Sequence, residues 1–247
     1  MRSKLVCSLL AGASVAMATP AMADPITLDS SDVGTSFTID FDGFVDTATN
    51  TIEDLTSSIT FTLQEVTGSS YTFGYLVDNT TSGGLTSNLS SFAFNVDPDI
   101  SGATADGAYS FAFVSDGQAN DPSYPNQVGA VDVCFKAANS GSCSNRGGVS
   151  EGSTGSGTLS LLFDPDAEQI TLSDFFVRYQ GITGADGVTS ATGQSTTSGS
   201  TTSSTSSGTQ VPEPGMAGLL GLGILGLGLM RRRRRTAAAS AQRPAFA

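Results

Sequence analysis

A two-residue alternation of large apolar and small polar side chains, repeated along the middle of the chain, constrains this sequence more than any other feature. Phe37, Ile39 and Phe41 are spaced by two, as are Ile59, Phe61 and Leu63. The same spacing recurs at Phe92, Phe94 and Val96; Tyr109, Phe111 and Phe113; Val131, Val133 and Phe135; and Leu159, Leu161 and Phe163. Tyr71–Val77 and Phe175–Ile182 look similar. Successive side chains of a strand point to opposite faces, so this period predicts strands with one face buried. Turn-formers separate them, among them Asp42-Gly43, Gly83-Gly84, Asp97-Pro98, Asp116-Gly117, Asp164-Pro165 and Gly184. No stretch carries a sustained helical period; Thr49 to Leu55 comes nearest and is short. Eight to ten short strands so punctuated predict an all-β domain, an antiparallel β-sandwich or jelly roll. Ser91-Phe92-Ala93-Phe94 recurs as Ser110-Phe111-Ala112-Phe113, which reads as two neighbouring strands sharing one packing solution.

Charge narrows the chemistry. The 247 residues hold 11 Lys+Arg against 23 Asp+Glu, and the basic residues crowd the two ends. Between Asp24 and Gln210 only Lys136, Arg146 and Arg178 face 22 acids, a formal charge of −19. Such a surface repels phosphate backbones, so nucleic acid and anionic lipid headgroups are poor partners. There is no His, which removes the commonest general base and metal ligand and with it any Ser-His-Asp or Cys-His machinery. The sequence nominates no catalytic residue and no cofactor, and we expect a protein that is not an enzyme.

Both ends read as addresses. Arg2 and Lys4 precede an apolar zone, Leu5 to Met17, and Ala21-Met22-Ala23 offers a small-residue cleavage site. That is the layout of a signal peptide over 1–23, cut after Ala23 and taking Cys7 with it. At the far end Val211-Pro212-Glu213-Pro214 is followed by an uncharged stretch, Gly215 to Met230, and then by Arg231, Arg232, Arg233, Arg234 and Arg235. As a helix, 215–230 would span about 24 Å, short of a roughly 30 Å hydrocarbon core unless the bilayer thins and arginine snorkels. The arginines would hold their end in the cytoplasm, with 236–247 as a cytoplasmic tail and the body across the membrane. Pro212 and Pro214 keep Val211–Glu213 extended, the shape a processing cleft grips.

This tripartite end resembles the PEP-CTERM sorting signal over Val211 to Arg235. The resemblance implies recognition by exosortase, cleavage near Pro-Glu-Pro, transient membrane anchoring, and delivery to the outer surface or exopolysaccharide matrix of a Gram-negative bacterium. A plain C-terminal anchor that is never cut is the alternative.

Ala191 to Gln210 is almost wholly Ser, Thr and Gly, and 185–210 is therefore expected to be a disordered linker behind a domain over 24–184. Cys134 and Cys143 are the only cysteines left after export. An even pair outside the cytoplasm favours a disulfide, and no His or further Cys completes a metal tetrahedron. Asp132-Val133-Cys134-Phe135, Gly141-Ser142-Cys143-Ser144 and Phe175-Phe176-Val177-Arg178-Tyr179-Gln180-Gly181-Ile182 resemble the "cistern" family of PEP-CTERM proteins, which implies an architecture over Ile26–Gly184 and no activity.

A few residues remain as site candidates. With Val177 and Tyr179 facing the core, Arg178 points outward beside Phe176 and Gln180, either paired with one of the many acids or holding a carboxylate or sugar acid. The pairs Asp40 and Asp42, Asp97 and Asp99, and Asp164 and Asp166 suit calcium chemically but match no ligand spacing. Without Trp, sugar stacking would fall to Tyr71, Tyr75, Tyr109, Tyr124 and Tyr179. Asn79-Thr80-Thr81 and Asn88-Leu89-Ser90 fit glycosylation sequons. The expected function is that of an exported structural component of the envelope or matrix associated with exopolysaccharide. A carbohydrate- or calcium-binding module is the alternative, and a carboxylate-dyad hydrolase a third.

Overall fold

A computed structural model describes residues 25–46, 50–115, 121–139, 143, 146–196 and 200–202. The expected signal peptide with Ala21 and Ala23, the transmembrane segment, the Pro-Glu-Pro motif, the arginine run and the tail lie outside the described residues. The strands are β1 (Ile26–Asp29), β2 (Ser36–Phe44), β3 (Thr51–Thr67), β4 (Ser70–Asp78), β5 (Thr86–Asp97), β6 (Gly102–Gly107), β7 (Phe111–Val114) and β8 (Ser123–Tyr124). They continue as β9 (Gly129–Ala130), β10 (Val133–Lys136), β11 (Val149–Ser150), β12 (Thr154–Leu162), β13 (Gln169–Thr183), β14 (Ser190–Ser195) and β15 (Ser200–Thr202). The one helical element among the described residues is a 3₁₀ turn, Ser30–Asp32, closed by a capping box between Asp29 and Asp32. Thr51 to Leu55, where a helix came nearest in the sequence, opens β3.

All pairings are antiparallel. Thirteen strands form one sheet with the path β6-β12-β4-β3-β2-β14-β13-β5-β10-β7; β1, β11 and β15 join it beside β13, β5 and β2, while β8 and β9 pair separately. The expected antiparallel all-β class is found. The expected sandwich or jelly roll is not, because a single sheet supplies both walls of the core. β3 and β13 run for 17 and 15 residues and carry register shifts at Leu63/Glu65, Ser173/Phe176 and Arg178/Tyr179. Bulges bend strands and deepen their twist, which lets a long sheet curl on itself.

Aromatic contacts record the curl. Phe61 on β3 stacks on Phe37 of the adjacent β2 at 5.3 Å, and also meets Phe92 and Phe94 of β5 at 5.8 and 6.1 Å across the interior, with three strands between β3 and β5 in the path. Phe92 stacks on Phe135 of β10 at 5.1 Å, and Phe94 meets Phe175 of β13 at 5.4 Å. Leu, Ile and Val from nine strands fill the remaining space. Each buried large side chain contributes roughly 1.5–3 kcal/mol. The two ends of the path, β6 and β7, line one cavity of about 550 Å³, so the sheet stops just short of closing into a barrel.

The recurring Ser-Phe-Ala-Phe segments do not share a packing solution. β10 lies between β5 and β7, pairing Phe135 with Phe92 on one side and with Ala112 on the other. Phe92 and Phe94 therefore enter the core, whereas in β7 Ala112 and Val114 take the inner face and Phe113 the outer one. A one-residue offset reverses every side chain of a strand.

The expected linker, 185–210, also departs from expectation. Ser190–Ser195 is β14, wedged between β2 and β13, with Ala191 and Thr192 fully buried. Ser200–Thr202 pairs with β2. The strand is poor in apolar residues because the space is already taken. A Cβ on Gly193 would come within 2.8 Å of both Val177 and Tyr179, and one on its partner Gly43 would strike Leu55. Those bulky neighbours fill the interior beneath β14, and its backbone ladder, rather than its side chains, holds it in place.

Gly193→Ala should accordingly destabilise the fold by about 1–3 kcal/mol through overpacking, measured as a lower urea midpoint with unchanged slope. A midpoint within error of the wild type would show that β14 is not packed as described.

Candidate functional site on the covered outer face

Opposite the core, strand register lines up one row of outward side chains. Phe44 of β2 pairs with Thr192 of β14, Thr192 with Arg178 of β13, Arg178 with Ser91 of β5, and Ser91 with Lys136 of β10. An outer face normally meets water, yet none of the five is more than 7% exposed. A second layer covers them. Tyr124 and Val131, with half-buried Val128, come from the β8–β9 hairpin and its flank; together with Cys143 they pack on Ala93, Cys134, Phe176 and Phe113.

Three devices fasten the cover. Cys134 on β10 is disulfide-bonded to Cys143, Cα atoms 6.0 Å apart, both sulfurs' residues fully buried. The expected pairing is present. Ser91 donates to the Cys143 carbonyl and accepts from the Tyr124 hydroxyl at 2.7 Å. Asn126, whose φ of 60° is left-handed, donates to the Phe44 carbonyl (3.3 Å) and to the Thr192 hydroxyl (3.2 Å); Asn tolerates that backbone better than most residues.

Arg178 points outward as expected but meets neither solvent nor acid. Its Nη1 donates to Thr192 Oγ1 at 3.3 Å and its Nη2 to Ser190 Oγ at 2.8 Å, while Nε is buried without a partner. No carboxylate among the described residues pairs with it, so the expected ion pair is corrected: the cover screens this face from the acidic surface. Desolvation pulls the guanidinium below its usual range, partly offset by Tyr124. Lys136, in the same row, is lowered by burial, sits 5.0 Å above the Phe113 ring and lines the cavity between β6 and β7 together with Asn139. Arg146 is exposed. The clue available in the sequence was Arg178's place inside the apolar run Phe175–Ile182, which indicates a strand buried on both faces.

The other candidates have structural roles. All five tyrosines are buried, and each hydroxyl is bonded: Tyr71 to the Ala167 carbonyl, Tyr75 to Asp106, Tyr109 to Leu89, Tyr124 to Ser91 and Tyr179 to Ser57. None presents a ring for sugar stacking. Among the described residues no three His, Cys, Asp or Glu gather in a way that could hold a metal ion, and Asp40/Asp42, Asp97/Asp99 and Asp164/Asp166 remain separate pairs. Asn79 is fully buried, its amide donating to Ser87 and to the Val149 carbonyl, so that sequon is closed to modification in the folded state. Asn88 accepts from Ser150. Asp132 and Asp174 tie β10, β5 and β13 together through the Val96 amide and Asn95.

Comparison with protein families matches residues 210–235 to the PEP-CTERM protein-sorting motif. The chain carries an exosortase sorting signal. The PEP-CTERM match coincides with Val211–Pro214 and Arg231–Arg235 and leaves the β-domain outside it. No curated protein matches the chain, and no solved structure does.

Two outcomes follow. Cys134→Ser should lower stability by about 2–3 kcal/mol, the chain-entropy value for so short a closed loop, seen as an earlier urea midpoint; no change would mean the cover holds without its staple. The second concerns alkali. Burial raises the pKa of every tyrosine, with Tyr109, Tyr124 and Tyr179 raised most. Their stabilisation is complete below about pH 10, where unfolded tyrosine begins to ionise, and is lost as pH climbs toward the folded values at up to roughly 1.4 kcal/mol per unit for each. Absorbance at 295 nm should stay flat past pH 10 and then rise cooperatively with unfolding. A gradual rise centred at pH 10 would contradict the burial.

Proposed function

We propose that this is an exported, non-enzymatic protein of the outer surface or extracellular matrix of a Gram-negative bacterium, processed by exosortase and associated with exopolysaccharide. The PEP-CTERM match at 210–235 carries this reading. It is supported at the other end by the signal-peptide layout of residues 1–23 with its Ala21-Met22-Ala23 site, and by the absence of His from the whole chain. In this account 215–230 anchors the chain in the inner membrane until the cut, with Arg231–Arg235 holding the cytoplasmic side. The likeness of the body to the cistern family fits the same route through Cys134 and Cys143.

A disulfide-stapled, tightly hydrogen-bonded β-domain suits an environment without chaperones or reductant. The carbohydrate-binding alternative loses its tyrosine platform, and the calcium alternative has no gathered ligand set among the described residues.

Intact mass of the protein recovered from an exosortase-bearing host should begin at Asp24 and lack Gly215 onward. Pro212→Ala combined with Pro214→Ala should leave the full C-terminus in the membrane fraction. Release of that double variant with the same mass as wild type would remove exosortase from the account.

A further inference from the structure

From the geometry around Arg178 we infer a carboxylate-binding site on the covered outer face, with the guanidinium as its centre, Ser190 as an accompanying donor, and Thr192 and Asn126 holding the guanidinium in position. The inference stands apart from the sorting route. Three observations carry it.

First, a buried cation without a counter-ion is costly, since desolvation of an ion is repaid only by close opposite charge and saturated hydrogen bonds. Arg178 has two hydroxyl partners, an unpartnered Nε and no carboxylate, in a body with 22 acids to choose from. Among the described residues none of those acids reaches it.

Second, the open position on the guanidinium has a specific shape. Nε and Nη2 form one edge of the planar fork, the edge that grips a carboxylate with two parallel hydrogen bonds. On that edge Nε has no partner, and Nη2 is held only by the hydroxyl of Ser190. Ser190 and Gln180 are half-exposed, whereas Thr192, Ser91 and Phe44 are fully covered. The Ser190 side is therefore the margin of the cover nearest the fork, and we place the ligand's approach there.

Third, the surrounding groups suit an anion of modest size. The Ser190 hydroxyl accepts from Nη2 and keeps its own hydrogen to donate, while Thr192 is placed by accepting from Arg178 and Asn126 and donating to the Pro125 carbonyl. The acidic body at large weakens the pull on any anion through long-range repulsion, so recognition falls to the local contact between the guanidinium fork and one carboxylate. Such a group comes either from a small organic acid or from a uronic acid residue of a polysaccharide.

The test uses the protein as released from its host. Sodium acetate, sodium D-galacturonate, an oligogalacturonide and neutral D-galactose are titrated while the Arg178 Nε–H resonance is followed by NMR and heat is measured by calorimetry. We expect a saturable shift of that resonance with the carboxylates and none with galactose. Equal response to acetate and galacturonate identifies a small-acid site; response confined to galacturonate and its oligomer identifies an acidic polysaccharide. Arg178→Gln, with near-UV circular dichroism preserved, should weaken binding about tenfold or more. No saturable shift in the wild type overturns the proposal, and so does binding unchanged in Arg178→Gln. Should that variant fail to fold, the wild-type resonance alone decides.

Discussion

A sheet with one apolar face and no helix to lay against it must cover itself. This constraint governs the whole body. The aromatic rows of β2, β3, β5, β10 and β13 all point to one side, and they are sheltered only because the sheet curls until β3 faces β5. Bulges in β3 and β13 supply the bend. Small residues at Gly43 and Gly193 leave room inside it for Leu55, Val177 and Tyr179. The tyrosine hydroxyls find partners at the margins of the same core. Remove the curl and every one of these arrangements loses its reason.

Curling leaves an outer face, and here the chain departs from the simple inside-out rule. Part of that face is apolar as well: Ala93, Cys134, Phe113 and Phe176 need a roof. The β8–β9 hairpin with Cys143 provides it, and the disulfide ties roof to wall between residues 9 positions apart. Two of the three cations of the body, Arg178 and Lys136, lie beneath this second layer in one row, separated by Ser91. A chain with so few positive residues has buried two of them, and Arg178 meets no carboxylate among the described residues. Lys136 rests on an aromatic ring, whereas Arg178 has an unfilled edge, and that contrast singles out Arg178.

Much of this was legible from alternation alone. The strands containing Phe37, Phe61, Tyr71, Phe92 and Phe175 were evident, because period two with β-branched and aromatic residues is a local signal. The pairing of Cys134 with Cys143 was legible from count and compartment. The sorting signal was legible because its parts are contiguous. What escaped reading depends on partners distant in sequence. β14 looks like a tether because its small residues fit against side chains from β2 and β13, and composition does not reveal who the neighbours are. Arg178 looked solvated because the residues that cover it lie some fifty positions earlier, in the hairpin around Tyr124 and Asn126. Ser110–Phe113 looked like a copy of Ser91–Phe94, yet register, set by β10 between them, turned it over.

The account stands or falls on whether the body is one self-covering sheet that incorporates the Ser/Thr/Gly strand after Gly184. Amide hydrogen exchange of the folded protein, read segment by segment, addresses this directly. The account predicts that Ala191–Ser195 exchange as slowly as Phe176–Gln180 of β13, opening only with global unfolding. Exchange of that segment within seconds, at the rate of an unstructured peptide, would contradict it: β14 would then be a tether, and β2 and β13 would have to meet some other way.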